Sequence, residues 1–219
     1  MKTGFLIIIL NIFTGFHLNE ESDLTGNWKL VRNEDGIKAF TREVEGSSIK
    51  QVRVIANVKS TLTAPVAIVR DVSSHPKWIY RCKTAKILKT VSESDHYYYN
   101  ETEAPWPISN RDIITHAVIT QDKKSKIVTI TSTGVPNFIP PKNDIVRLKK
   151  LQAQWKFIPK VNGTVDINFT LLIDLGGDLP SWLVNLAIAD GPFETVLNMR
   201  KEIMKAKYQN AVYNFIQEL

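Results

Sequence analysis

Period-two alternation of apolar and polar residues dominates the middle of the chain. Across 165–175, Val165, Ile167, Phe169, Leu171, Ile173 and Leu175 share one face, while Asp166, Asn168, Thr170 and Asp174 share the other, interrupted by Leu172. Leu151, Ala153, Trp155 and Phe157 alternate with Gln152, Gln154 and Lys156. Val52, Val54, Ala56 and Val58 repeat the pattern, as do Ile113, Thr115, Ala117 and Ile119. One apolar face per strand predicts a sheet covered on one side, which favours antiparallel pairing. Turn chemistry separates the runs at Asp35-Gly36, Asp122 to Ser125 and Asn162-Gly163, the last being the strongest hairpin signal.

From Pro180 the period changes. Leu183, Leu186, Phe193, Val196, Leu197, Ile203, Met204, Tyr208, Ala211, Val212 and Phe215 recur at helical spacing. This predicts a long amphipathic C-terminal helix that Gly191-Pro192 kinks or splits. A second helix is predicted from Thr63-Ala64-Pro65, with a Thr cap and a first-turn Pro ahead of Val66 to Val72. The class is therefore α+β, with a curved antiparallel sheet and a long helix each hiding the other's apolar face. A cylinder does not fill a strongly curved sheet, so an elongated apolar cavity is expected. Its candidate lining from the strands is Ile113, Thr115, Ala117, Trp155, Phe157, Ile167, Phe169 and Leu171. From the helix it is Leu186, Phe193 and Leu197.

Composition narrows the picture. The 219 residues, 43% of them hydrophobic, suit one globular domain. The single Cys excludes an intramolecular disulfide framework and any multi-cysteine metal site. A net charge of +6 tolerates anionic headgroups but names no nucleic-acid partner. Lys2 precedes an apolar run from Phe5 to Phe13, broken by Asn11, before Glu20 and Glu21. This is the layout of a secretory signal peptide over 1–18, ahead of one domain over 20–219. An uncleaved membrane anchor and a first buried helix are the alternatives. Export makes Cys82 a lone buried or capped thiol. Catalytic signatures are missing: the sequence has no His-Glu-x-x-His, Gly-x-Ser-x-Gly, P-loop or dinucleotide fingerprint. His75, His96 and His116 have no metal-ligand spacing, so no metal and no cofactor are expected.

Four motifs carry a resemblance. Ala104-Pro105-Trp106-Pro107-Ile108-Ser109-Asn110-Arg111-Asp112 resembles the "PWP…NRD" signature of the StAR-related lipid-transfer (START) domain family. Asp35 to Arg42 resembles that family's opening hairpin, and Asp71 to Trp78 its helix ending in an aromatic residue. Gly177 to Asn185, with Pro192 and Arg200 after it, resembles the approach to its last helix. The resemblance implies a helix-grip fold of about nine antiparallel strands wrapped round the C-terminal helix and an internal hydrophobic tunnel. It implies a monomer that binds a lipid, sterol or other hydrophobic molecule without catalysis. An arginine that some sterol-binding members carry falls here on Ala117, so their ligand preference does not transfer.

Tunnel-gate or membrane-contact candidates are Trp106, held between two prolines, Arg111 on a strand after a Pro-rich loop, and Val135, Phe138 and Ile139. The last three are apolar residues among prolines where a loop is normally polar. The bland alternatives are a loop folded onto the sheet and a Trp that plugs the core. A polyketide cyclase or aromatase on the same fold would need acid–base groups in the tunnel, with Thr115, His116 and Tyr98 as the available handles. A third reading is a protein-interaction module using the apolar loop.

Overall fold

The computed structural model describes residues 27–177, 179, 183–184, 188 and 190–219. The predicted leader over 1–18, and Pro180, Trp182 and Leu186 of the last predicted helix, lie outside the described residues. The sheet contains β1 (Lys29–Glu34), β2 (Ile37–Val44), β3 (Ser47–Lys59), β4 (Cys82–Ser92) and β5 (Asp95–Thr102). It continues with β6 (Asn110–Gln121), β7 (Val128–Gly134), β8 (Ile145–Arg147), β9 (Lys150–Pro159) and β10 (Thr164–Asp174). Nine of these form one antiparallel path in the order β1-β2-β3-β10-β9-β7-β6-β5-β4. The short β8 pairs parallel with Asn110 to Asp112 at the start of β6.

Local sequence explains the hairpins. Asp35 and Gly36, at φ 52° and 70°, form the two-residue turn between β1 and β2. Asp122 accepts the backbone N–H groups of Lys124 and Ser125 and so closes the β6–β7 turn. Gly134 ends β7 where a Cβ would stand 3.0 Å from the Leu151 backbone nitrogen, so a side chain there would press the facing strand back by a few tenths of an ångström.

Helices α1 (Thr63–Arg70) and α2 (His75–Trp78) carry the chain from β3 across to the far edge strand β4. Every residue of α1 from Thr63 to Val69 is buried. The helix therefore packs with Phe157, Ile167, Phe193 and Val196 in one continuous core. Helix α3 (Gly191–Glu202) starts with Pro192 in its first turn, the position where the missing N–H costs nothing. The opening hairpin holds both ends of α3. The Arg32 guanidinium lies 3.7 Å over the Phe193 ring and donates to Glu194 at 3.1 Å, and Arg200 donates to the Asp35 carbonyl at 2.7 Å.

The predicted helix through Phe215 is corrected: α3 ends at Glu202, and a short α4 (Ala206–Gln209) and an irregular tail follow. A straight helix would carry those 13 further residues about 20 Å beyond the core, at roughly 1.5 Å per residue. The turn instead brings Tyr208, Tyr213, Phe215 and Ile216 back onto the core, with Arg70 stacked over the Tyr213 ring at 4.6 Å. It also supplies polar partners. Glu218 accepts the Leu62 and Thr63 N–H groups at 2.7 and 2.9 Å, and the Thr61 hydroxyl accepts Ala64 N–H. The cap of α1 therefore comes from these residues and not from Thr63.

Asp71 accepts Lys207 Nζ at 2.7 Å and the Tyr208 hydroxyl at 3.0 Å. Burial alone would raise its carboxyl, but hydrogen bonds from Lys207, Ser73 and Tyr208 outweigh this and bring it down to about 2. A depressed folded-state pKa stabilises above the ordinary value near 3.8, and that stability is lost as pH falls through about 2. Asp71→Asn is expected to cost roughly 1–2 kcal/mol at neutral pH, discounted for partial exposure. Urea unfolding of wild type and variant should converge between pH about 4 and about 2.

Candidate functional site

The concave face of the sheet is closed at one end and hollow at the other. Cross-strand register shows the division. Phe157 faces Ile167 in the closed part, and the next rows, Trp155 with Phe169, Ala153 with Leu171 and Leu151 with Ile173, line a cavity. This cavity offers about 230 Å³ to the centres of water molecules. Its floor is aromatic: Trp155 stacks on Phe169 at 3.9 Å, Trp78 meets Trp155 edge-on at 6.0 Å, and His75 meets Tyr98 edge-on at 5.3 Å. Leu175, Leu179 and Leu183 line it after β10, and Gly191, Pro192 and Thr195 present the start of α3 to it. Glu103 and Ala104 mark the mouth, where Glu103 is exposed.

Polar groups on this wall mostly satisfy one another. The buried Tyr98 hydroxyl stands near those of Ser132 and Thr115, and burial raises its pKa. Thr195 donates to the Gly191 carbonyl and accepts the Tyr80 N–H. His75 has Val69 O 3.0 Å from Nε2 and Asn100 3.1 Å from Nδ1. Burial lowers its pKa, so the ring is neutral. With Nε2–H donated to the Val69 carbonyl, the neutral ring accepts at Nδ1, so the Asn100 amide must turn its NH2 group to the position where Oδ1 is placed, 3.1 Å away. Arg111 is 9% exposed on the same wall, and its Nη1 donates to the Ser109 carbonyl. Arg111 Nε and Trp78 Nε1 have no partner among the described residues.

The START domain model matches residues 19–207 of this sequence. The chain belongs to the START family. It is 32% identical over 182 residues to an uncharacterised Pseudomonas aeruginosa protein, covering 83% of this chain and 89% of that one. Over 189 residues it is 23% identical to the phosphatidylcholine transfer protein of Rattus norvegicus, covering 84% of this chain and 85% of that protein. The crystal structure of a STAR-related lipid transfer protein fragment from Xanthomonas axonopodis aligns with a TM-score of 0.75 at 29% identity. That alignment covers 81% of this chain and 99% of the fragment. The nine-strand path gripping α3 is the START helix-grip fold.

Within this START domain the predicted lining divides by depth. Ile113, Thr115, Trp155, Phe169 and Leu171 line the cavity, as does Arg111. Ala117, Phe157, Ile167 and Phe193 are fully buried on the same side but do not reach the cavity wall, because α1 and α3 fill the space above them. Leu197 is half-buried against that core. Leu186 lies outside the described residues. Strand alternation missed the contributions of α1 and α2, namely Val69, His75, Trp78 and Ile79. Leu151, Ala153, Ile173 and Leu175 share the alternating faces already recognised and could have been taken by carrying those faces to the strand ends.

The apolar loop is corrected as a tunnel gate. Val135, Phe138 and Ile139 do not border the cavity. Arg147 holds their loop on the outer face of the sheet by a double hydrogen bond to Asp112, at 2.6 and 3.1 Å, and by donating to the Pro136 and Ile139 carbonyls at 2.7 and 2.9 Å. Phe138 then stacks on Tyr97 at 4.5 Å, and Tyr97 on His116 at 4.2 Å. Arg111 and Asp112 point to opposite faces, as adjacent strand residues must. Trp106 is 92% exposed, so it does not plug the core. Cys82 is a buried thiol that donates to the Thr84 carbonyl, and burial pushes its pKa up to about 12.

His96 is buried beside this site, and burial, with Arg70 next in effect, pushes its pKa down to about 4. Unfolded imidazoles protonate near pH 6.5 while His75 and His96 do not, so stability should decline below about pH 6.5 and go on falling through about pH 4. The ring chemical shifts of His96, followed by NMR in the folded protein, should stay those of neutral imidazole from pH 8 to about 5.5.

Proposed function

We propose that this START domain binds one hydrophobic molecule, a lipid or sterol, in the cavity between the sheet and α3, and that it does so without catalysis. The observation that carries this reading is the open aromatic and aliphatic hollow of about 230 Å³, lined among others by Trp155, Phe169, Leu175, Leu179 and Leu183. Covering about 400 Å² of hydrocarbon there would yield on the order of 10 kcal/mol at about 25 cal/mol per Å². Ordering and desolvation offset much of that, so apolar walls alone suffice for a useful affinity. The lipid-transfer names of the relatives support the same reading. A cyclase is less well supported. The pair of His116 and Asp95, 2.8 Å apart, stands on the outer face, and both ring nitrogens of the cavity's His75 are engaged.

One feature favours loading from a membrane. Trp106 projects into solvent two residues beyond Ala104 of the cavity wall, and an exposed Trp is suited to the headgroup region of a bilayer. Export is supported by the apolar leader over 1–18, which ends just before the family match begins at residue 19.

The test is to strip the protein of endogenous lipid, incubate it with vesicles, recover it and weigh it by native mass spectrometry. A lipid adduct is expected, and repeated empty spectra would sink the reading. Ala153→Trp, which fills the cavity from its wall, should weaken uptake of a fluorescent lipid at least about tenfold, the factor that about 1.4 kcal/mol represents, while leaving a cooperative thermal transition. Trp106→Ala should slow extraction of lipid from vesicles by several-fold and leave the final amount bound unchanged. Equal rates for variant and wild type in a stopped-flow assay would remove Trp106 from membrane contact.

A further inference from the structure

The carrier reading leaves the polar end of the guest unspecified, and the wall chemistry bears on it. His75, Asn100 and Thr195 hydrogen-bond with one another or to backbone, and the Tyr98, Thr115 and Ser132 hydroxyls stand close to one another. The two orphaned buried groups on the wall, Arg111 Nε and Trp78 Nε1, are both donors. Arg111 is also a charge. Among the described residues no ion pair reaches it: neighbouring Asp112 faces outward to Arg147, and Glu101 is engaged on the outer face by Lys83 and Lys142. The acid on the wall, Glu103, is exposed at the mouth, and its backbone carbonyl takes the Nε of Arg81, a second guanidinium on the wall. A buried cation without a counter-ion carries a large desolvation cost that an incoming anion relieves.

We propose that the Arg111 guanidinium is the headgroup-recognition point of the cavity, and that the guest is an amphiphile whose polar end is a carboxylate or a phosphate. The inference rests on the carrier reading above. Burial alone moves the Arg111 pKa, and moves it downward, which agrees with a cation that no carboxylate supports. The planar fork of the guanidinium matches either anion through two parallel hydrogen bonds. The tail then lies along Trp155, Phe169 and Leu171, toward the aromatic floor.

The experiment is displacement of a fluorescent neutral lipid from the lipid-free full chain. Oleate should compete at least about tenfold better than oleyl alcohol, and phosphatidic acid better than diacylglycerol by a similar factor. In Arg111→Gln that preference should vanish, the charged and neutral competitors becoming equal, while Arg111→Lys should keep part of it. Equal competition in the wild type, or a preference that survives Arg111→Gln, overturns the anionic headgroup and leaves the carrier reading standing. The wild-type comparison decides this even where a variant fails to fold. Inorganic phosphate displacing the probe as well as phosphatidic acid does would assign Arg111 to a free anion and overturn the lipid version. No uptake of any probe overturns the carrier reading and this inference together.

Discussion

The structure depends on a mismatch of area: the concave face of the sheet is wider than the helices laid across it. Apolar residues on that face are driven inward wherever a partner surface exists. Where α1 and the buried side of α3 lie over the strands, Phe157, Ile167 and Phe193 lose all contact with solvent. Beyond that line the same alternating faces continue along an open cavity. Core and cavity are thus one surface, separated only by how far the helices reach.

The same limit governs the polar groups. An apolar inner wall makes an unpaired polar group costly, and His75 with Val69 and Asn100, and Thr195 with Gly191 and Tyr80, show how such groups are satisfied. The outer face meets a different demand. Where Tyr99, Asp112 and Ile114 turn outward and are buried, the loop after β7 must cover them. Arg147 supplies the cover by converting three backbone and carboxylate acceptors into one anchorage. Val135 and Ile139 are partly covered in this way, while Phe138 keeps one side on Tyr97 and stays 39% exposed.

Much of the architecture was legible because strand alternation reports which face of the sheet a residue occupies. Asn168, placed outward by its position between Ile167 and Phe169, indeed meets Arg53 on the outer side. Depth along the strand has no such signature. Ala117 and Thr115 belong to one alternating series, and only the placement of α1 decides that one is packed and the other borders open space. His75 and Trp78 were invisible to alternation because they sit on a one-turn helix, too short for any periodicity to register. The end of α3 was misjudged because helical spacing persists through Tyr208 and Phe215, while the turn at 203–205 answers to a distant need for acceptors at α1.

That distant need has a consequence for how the molecule is made. The carboxylate that closes the first turn of α1 stands 155 residues further along the chain. A polypeptide delivered N-terminus first, by a ribosome or through a translocation pore, therefore carries this helix with bare amides until nearly the whole domain has appeared. Closing so long a loop adds entropy only logarithmically, so the delay is one of order rather than of energy. Chains ended before Glu218 leave the Leu62 and Thr63 amides without that partner.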